Sequence, residues 1–290
     1  MLAIGKIRYV RLGTSDLDAA AKFATGVAGL QEVGRVGGAP GRRAAYFRSD
    51  VRHHSLVYCE GADEQQAIGF EVTDAAALKA EAKRLNAQGL APGLGTRDEC
   101  AVRNVTAMLK LRDPSGNQIE LVVPEPGSDA VFAPPRLAGI CGLSHVGLRS
   151  TDPGRDETFW TSVLGARVSD RVGVAPMLRF DTVHHRVALL PAQAPGIQRI
   201  GFEVATVDDV MRSWYYLREN NVRIVFGPGR EPTSSAIFVY FAGPDGMLFE
   251  YATGAKIIPA DTNPRPRHFP FAPRSFCMWG GKPDMNDFNL

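Results

Sequence analysis

Three residues in the second half of the sequence carry the clearest potential for chemistry: His145, Arg199 and Glu250. An imidazole and a carboxylate are ligands for divalent transition metals, and both also move protons at neutral pH. A guanidinium does neither, because it stays protonated and has no lone pair to offer. The three residues therefore allow two interpretations, an incomplete metal site or a metal-free acid–base site.

Two further features could add acid–base groups to this site. His184 and His185 are adjacent and stand before an apolar run. Neighbouring side chains of a strand point to opposite faces, so we expect only one of these histidines to face a cavity. Tyr240 lies ten residues before Glu250 at the base of a closing hairpin. Its phenol is therefore expected to face the same cavity as Glu250.

The elements that position these residues belong to an internal repeat, and such a repeat determines the fold. The segment IGFEV occupies residues 68–72 and recurs unchanged at residues 200–204. Three further landmarks keep nearly the same offset: the pairs His53-His54 and His184-His185, the turns Pro114-Ser115-Gly116 and Pro244-Asp245-Gly246, and the acids Glu120 and Glu250. Four landmarks in one register indicate a duplication.

Each half of the sequence divides again into two similar units. The strand-like segments 7–12 and 143–148 each precede a helical stretch, at about 16–30 and 156–164. Each IGFEV strand precedes another amphipathic stretch, at 74–88 and 207–220, and a hairpin closes each half at 107–123 and 236–253. The pattern predicts an α+β fold of four βαβββ modules, paired into two barrel-like domains.

The same pattern predicts the domain boundaries. An N-terminal domain is expected at 1–124, a linker rich in turn formers at 125–141, a C-terminal domain at 142–255, and a proline-rich tail at 256–290 that wraps the second domain. The site is expected in the second domain. In the first domain the equivalent positions are Tyr9, Ala67 and Glu120, which offer only one good metal ligand.

Composition excludes several functional classes. Hydrophobic residues make up 44% of the 290 residues and charged residues 22%, which is typical of globular proteins. The net charge of +2 and the scattered basic residues give no reason to expect a nucleic-acid partner. Four dispersed cysteines without a CxxC pair predict free, buried thiols. Without a signal peptide or a long apolar run, we expect a cytoplasmic protein that contacts no membrane.

Around the candidate site residues of the second half, the sequence resembles the type I extradiol ring-cleaving dioxygenases of the vicinal oxygen chelate (glyoxalase) superfamily. Within that family it is most similar to the biphenyl-2,3-diol 1,2-dioxygenase group. The resemblance covers nearly the whole length. It is carried by LSHVG at 143–147, the pair His184-His185, the run from Pro244-Asp245-Gly246 to FEY at 249–251, and Met278-Trp279-Gly280 in the tail. It implies two vicinal-oxygen-chelate domains, a catecholic or phenolic aromatic substrate, Fe(II) or occasionally Mn(II) in the second domain, and a homo-oligomer.

The resemblance also implies metal ligands. Members of this family hold the metal with two histidines and one glutamate, and His145 and Glu250 match one of each. The second histidine falls on Arg199. Because Gly201 and the residues after it fix the register of this strand, we expect Arg199 to occupy the ligand position. Our hypothesis is that Arg199 pairs with Glu250 and takes the place of the metal.

Further positions of the family's site are only partly kept. His185 matches a histidine that acts on the substrate beside the metal, and Tyr240 matches a tyrosine that bonds to the substrate. Ser235 stands where another histidine helps to position oxygen. His185, Tyr240 and Arg199 are thus the candidate catalytic residues, and His184 and Ser235 the candidate substrate-binding residues.

Three functions remain open at this point. The first is an extradiol-dioxygenase-like protein of aromatic degradation with an incomplete 2-His-1-carboxylate site. The second is a metal-independent isomerase, hydratase or decarboxylase acting on an oxygenated aromatic compound or its ring-cleavage product, with His185, Tyr240 and Arg199 as acid–base and anion-stabilising groups. The third is a non-catalytic ligand-binding protein, or a partner subunit of an active dioxygenase.

Overall fold

Two large mixed sheets with helices packed against them form the fold. They are described from a computed structural model that covers residues 2–37, 43–61, 66–126 and 130–288. The first sheet has eight strands: β1 (Ile7–Thr14), β2 (Gln31–Val36), β3 (Ala44–Arg48), β4 (Leu56–Glu60), β5 (Ala67–Glu71), β6 (Gly93–Leu94), β7 (Val105–Arg112) and β8 (Gln118–Pro124). Their order is β2-β3-β4-β1-β5-β8-β7-β6.

The second sheet repeats this plan and gains one strand. Its strands are β9 (Ile140–Ser150), β10 (Arg167–Val172), β11 (Ala175–Arg179), β12 (Val187–Pro191), β13 (Gly196–Val204), β14 (Ile224–Arg230), β15 (Ile237–Ala242), β16 (Leu248–Thr253) and β17 (Arg267–Phe269). The order is β14-β15-β16-β13-β9-β12-β11-β10-β17. Strand β17 belongs to the C-terminal tail and runs parallel to β10 at the edge.

The pairing within each sheet reveals the modules. In both halves the two central strands, β1 with β5 and β9 with β13, are antiparallel partners. Each of these four strands also has a parallel neighbour, namely β4, β8, β12 or β16. A parallel pair requires a crossover connection, and every module contains a helix in that connection. The predicted α+β fold of four βαβββ modules is confirmed.

The helices begin where short polar side chains can cap them. They are α1 (Leu17–Lys22, continued by a π-helical turn, Phe23–Val27), α2 (Ala75–Ala87), α3 (Arg97–Val102), α4 (Pro153–Ser162) and α5 (Val207–Glu219). Asp16, Asp74 and Asp152 accept hydrogen bonds from backbone N–H groups of the first turns of α1, α2 and α4. Helix α4 therefore starts three residues before the predicted Asp156. Helix α3 was not predicted.

The two halves contact each other through their repeated turns. The carboxylate of Asp245 accepts hydrogen bonds from the hydroxyls of Thr14 and Ser15, both at 2.6 Å. In the reciprocal contact, the Ser115 hydroxyl donates to the buried carboxylate of Asp156. Each hairpin turn thus docks at the start of the first helix of the other half, which fixes the halves relative to each other.

Three smaller features complete the description of the fold. All four cysteines are free, but Cys141 is exposed, so the prediction that all are buried was wrong for this residue. Strand β9 begins at Ile140, within the predicted linker, because its pairing with β13 extends to Ile140 opposite Val204. Among the helices described, none is long and apolar enough to cross a membrane.

Candidate active site

Neighbouring strands of the second sheet bring the three predicted residues together. His145 lies on β9, Arg199 on β13 and Glu250 on β16, and β13 runs between the other two. Gly201 is paired with both His145 and Glu250, and its missing side chain leaves room for the imidazole. A Cβ atom at Gly201 would lie 2.3 Å from Cε1 of His145. The glycine of the repeated IGFEV segment therefore sets the position of the His145 ring.

Glu250 contacts both of the other side chains. Nε2 of His145 lies 2.8 Å from Oε2 of Glu250, and Nε of Arg199 lies 3.4 Å from the same oxygen. All three residues are at least 95% buried. Burial alone would raise the pKa of the Glu250 carboxyl, but His145 and then Arg199 hold it below its ordinary value. The pairing of Arg199 with Glu250 that we inferred from the sequence is present.

The sequence predicts that the two adjacent histidines lie within a strand. In the structure they lie in the segment that precedes β12. Their Nδ1 atoms are 3.0 Å apart, and Nε2 of His184 lies 2.8 Å from the carboxylate of Asp170. Burial, followed by the repulsion of His145, lowers the pKa of His185 well below its ordinary value, so this ring is neutral. Its Nε2 atom is buried without a hydrogen-bond partner among the described residues.

Through this chain of contacts, a neutral His184 would determine which nitrogen of His185 carries the proton. Hydrogen bonds from His184 and Arg267 outweigh burial and lower the pKa of Asp170 to about 2, so its carboxylate accepts the proton of His184 Nε2. In the neutral form of His184, Nδ1 then has the lone pair and must accept from Nδ1–H of His185. The remaining lone pair of His185 is on Nε2, on the ring that packs against His145 with 4.8 Å between centroids.

Tyr240 completes the group on the other side of Arg199. Its ring lies 5.6 Å from the guanidinium carbon of Arg199, and its hydroxyl donates to Glu231 over 3.3 Å. Burial, followed by the charge of Glu250, raises the pKa of Tyr240 well above 10.0, so the phenol stays protonated. Tyr240 can therefore donate a hydrogen bond, and it is paired with Glu250 across β15 and β16.

Two small cavities meet at this cluster. The larger, of about 60 Å³, is mainly apolar and is lined by Arg199, Tyr240 and Glu231 together with tail residues such as Phe271, Phe276 and Met285. The smaller, of about 30 Å³, is lined by residues that include His145, His185, Glu250, Ser234 and Glu231. Of the predicted residues, Arg199 and Tyr240 thus face one cavity and His145, His185 and Glu250 the other.

The two predicted substrate-binding residues lie elsewhere. His184 is 1% exposed and contacts Asp170 and His185, and it is not among the residues that line either cavity. Ser235 has a left-handed backbone with φ of 65°, and its neighbour Ser234 is the serine that lines the smaller cavity. Ser235 itself is not among the residues that line either cavity.

Sequence reasoning also missed residues. Glu231 lies on the wall between the cavities, and Asp170 orients the two histidines through a contact from β10. No spacing or repeat in the sequence marks either residue. Glu231 follows Arg230 and Asp170 lies between Ser169 and Arg171, and such polar neighbours are typical of exposed positions.

The first half contains a counterpart of this cluster that is closed by its own side chains. The Tyr9 hydroxyl donates to Glu120 over 2.6 Å, and Tyr9 stacks on His54 with 5.2 Å between ring centroids. Arg103, which caps the C-terminus of α3, holds both oxygens of Glu120 at 2.7 Å. The described part of the second half has no helix equivalent to α3, and the arginine paired with Glu250 lies on β13 instead.

The donor set does not fit the three-ligand iron site that the resemblance implies. Glu250 bonds to His145 and is paired with a buried guanidinium that repels a dication. Burial alone would lower the pKa of Arg199, but Tyr240, Glu250 and Glu231 raise it, so the guanidinium keeps its charge. Among the residues described, no three His, Cys, Asp or Glu side chains are placed to hold a metal ion together.

The chain combines paired βαβββ modules with a polar cluster on the central strands of the second sheet. The sequence model of the Glyoxalase/Bleomycin resistance protein/Dioxygenase superfamily matches residues 6–121 and 142–251. The chain belongs to this superfamily. The matched ranges correspond to the two duplicated halves.

Similar proteins span nearly the whole chain. A 1,2-dihydroxynaphthalene dioxygenase of Sphingobium xenophagum is 27% identical over 278 residues, 90% of this chain and 92% of its own length. A biphenyl-2,3-diol 1,2-dioxygenase of Sphingomonas paucimobilis is also 27% identical, with 90% and 91% covered. Among solved structures, the Mn(II)-bound glyoxalase of Novosphingobium aromaticivorans has a TM-score of 0.83 at 26% identity, covering 99% of this chain and 94% of its own.

Proposed function

We propose that the second half of this chain binds a catecholic or phenolic aromatic compound and acts on it by acid–base chemistry, without the metal that its relatives use. The observation that carries this proposal is the buried ion pair between Arg199 and Glu250, with 3.4 Å between the nearest atoms. A permanent positive charge stands where the resemblance places a metal ligand. The relatives that act on dihydroxylated aromatics support the ligand class.

The proposed roles follow from the protonation states of the side chains. His185 has a lone pair on Nε2 and no partner for it, so it can accept a proton. Tyr240 stays protonated and can donate to a ligand oxygen. Arg199 supplies fixed positive charge at an apolar cavity, where charge is poorly screened and stabilises a developing negative charge strongly. Isomerisation, hydration or decarboxylation of an oxygenated aromatic compound needs these three capacities.

The tail must move when a ligand enters. The larger cavity encloses about 60 Å³, whereas an engineered protein cavity that binds benzene measures about 150 Å³. Phe271, Phe276 and Met285 form its outer wall and belong to the tail, which the second sheet holds through the short strand β17. An aromatic ring therefore enters by displacing tail side chains, and this excludes water from the bound ligand.

The test uses the full chain treated exhaustively with a chelator. We expect catechol or biphenyl-2,3-diol to bind by calorimetry with the same affinity before and after chelation. We also expect no yellow ring-fission product under air when Fe(II) is restored. Ring cleavage that depends on Fe(II) would support the extradiol dioxygenase instead. Binding without turnover of any phenolic acid would indicate a ligand-binding protein or a partner subunit.

A further inference from the structure

Glu231 is a buried residue whose backbone is held in place by hydrogen bonds on both sides. It follows β14 at the tip of the hairpin, where its N–H donates to the carbonyl of Ala236 and its own carbonyl accepts from the N–H of Ser235. The tail holds the preceding residue, since the N–H of Met278 donates to the carbonyl of Arg230. Glu231 is 9% exposed and lines both cavities, so its carboxylate forms part of the wall between them.

The hydrogen bonds of Glu231 leave it able to accept another donor. Its Oε2 atom accepts from the Ser234 hydroxyl at 2.5 Å. Within the described part of the chain, its Oε1 atom accepts a hydrogen bond from the Tyr240 hydroxyl alone, at 3.3 Å. An O–H···O hydrogen bond is normally 2.5–3.0 Å long, so the second contact is weak. A carboxylate has about four acceptor positions, so a hydroxyl in the larger cavity can donate to Oε1.

The charges around the larger cavity favour a neutral ligand. Arg199 contributes one positive charge, and it is already paired with Glu250. Within the group formed by Arg199, Glu250 and Glu231, two carboxylates therefore share a single guanidinium. An ionised ligand oxygen would add a third negative charge beside this single guanidinium, in a largely buried site. A hydroxyl that keeps its proton avoids this repulsion and satisfies Oε1.

We propose that Glu231 is the residue of this site that holds the ligand, and that it does so by accepting a hydrogen bond from a neutral hydroxyl of an aromatic compound. This inference rests on the proposed function and specifies the form of its ligand. A metal-chelated catechol is bound through ionised oxygens, whereas the ligand here is bound with its hydroxyl protonated.

The experiment uses 4-nitrocatechol, whose neutral and ionised forms absorb at different wavelengths. The probe is titrated with excess chelated full-length protein across the pH range in which the free probe loses its first proton. We expect the pKa of the bound probe to be raised by at least about one unit in the wild-type chain, an approximately tenfold preference for the neutral form. In Glu231→Gln we expect the pKa of the bound probe to fall by at least about one unit relative to the wild type.

Glu203→Gln is the matched control, because Glu203 is an exposed carboxylate that lines only the smaller of these two cavities. This variant should leave the ionisation of the bound probe unchanged. Wild-type protein that binds the probe as its anion would overturn the assignment of Glu231, and so would equal shifts in the two variants. If Glu231→Gln does not fold, the wild-type titration alone decides. Wild-type protein that binds no probe at all contradicts the proposed function itself, and the role of Glu231 with it.

Discussion

Nε2 of His145 lies 2.8 Å from Oε2 of Glu250, so the two residues that match metal ligands bond directly to each other. The equivalent atoms of the first half are the hydroxyl of Tyr9 and Oε2 of Glu120, 2.6 Å apart. The duplicated fold therefore brings a donor on the first strand and a glutamate on the last strand into contact in both halves. In both halves an arginine is also paired with the glutamate.

Replacing Arg199 should restore a metal site. In Arg199→His the imidazole would face Gly147, its partner across β9 and β13, and the positive charge beside Glu250 would be lost. We expect this variant to bind about one Fe(II) per chain, measured by elemental analysis after expression with added iron. Arg199→Met removes the charge without adding a ligand and is expected to bind far less. Stoichiometric iron in the wild-type chain would contradict the proposal.

The two glycines of the repeated IGFEV segment provide a matched pair of variants. A Cβ atom at Gly201 would lie 2.3 Å from the His145 ring, and one at Gly69 would lie 2.7 Å from the Tyr9 ring. Such overpacking destabilises a protein by about 1–3 kcal/mol, so both alanine variants should unfold at lower urea concentrations. Only Gly201→Ala should also weaken the binding of 4-nitrocatechol. Equal binding losses in both variants would indicate a general structural effect.

The protonated nitrogen of His185 can be observed directly. Because Asp170 fixes the orientation of His184, ¹⁵N NMR of the wild-type chain should show an unprotonated Nε2 and a protonated Nδ1 in His185. In Asp170→Asn the amide can donate as well as accept, so we expect the two nitrogens of His185 to give averaged signals. A protonated Nε2 in the wild-type chain would show that His185 cannot accept a proton from a ligand.

Buried His54 predicts a pH dependence of stability. Burial, followed by the repulsion of His53, lowers the pKa of His54 well below 6.5 in the folded state, whereas the unfolded chain has a pKa of about 6.5. Below this pH the unfolded state binds a proton that the folded state does not, so the free energy of unfolding falls as the pH falls. The slope is up to about 1.4 kcal/mol per pH unit for one such group.

Urea unfolding between about pH 6.5 and pH 4.5 measures this slope. His54→Asn should reduce it by about the contribution of one proton, while the same change at exposed His268 should leave it as it is. His185 has the same direction of pKa shift and contributes with the same sign. A slope that is identical in the wild type and in His54→Asn would show that His54 does not resist protonation in the folded state.

The sequence alone determined the modular fold. The repeated IGFEV segments, the two histidine pairs and the two hairpin turns lie in one register, and periodic apolar residues define strands and helices locally. The same register placed Arg199 at the ligand position, because a strand's residues alternate between faces and a shift by one residue would turn the side chain away. Helix α3 escaped prediction because it is short and occurs in only one half.

Only the tertiary structure decided which groups surround the site. Glu231 meets Tyr240 across a hairpin, Asp170 meets His184 from a different strand, and the tail closes the larger cavity from the end of the chain. No local pattern encodes these contacts, because side chains distant in sequence become neighbours only when the sheets form. The charge balance and the pKa shifts depend on those neighbours and on burial, so they too arise only in the folded chain.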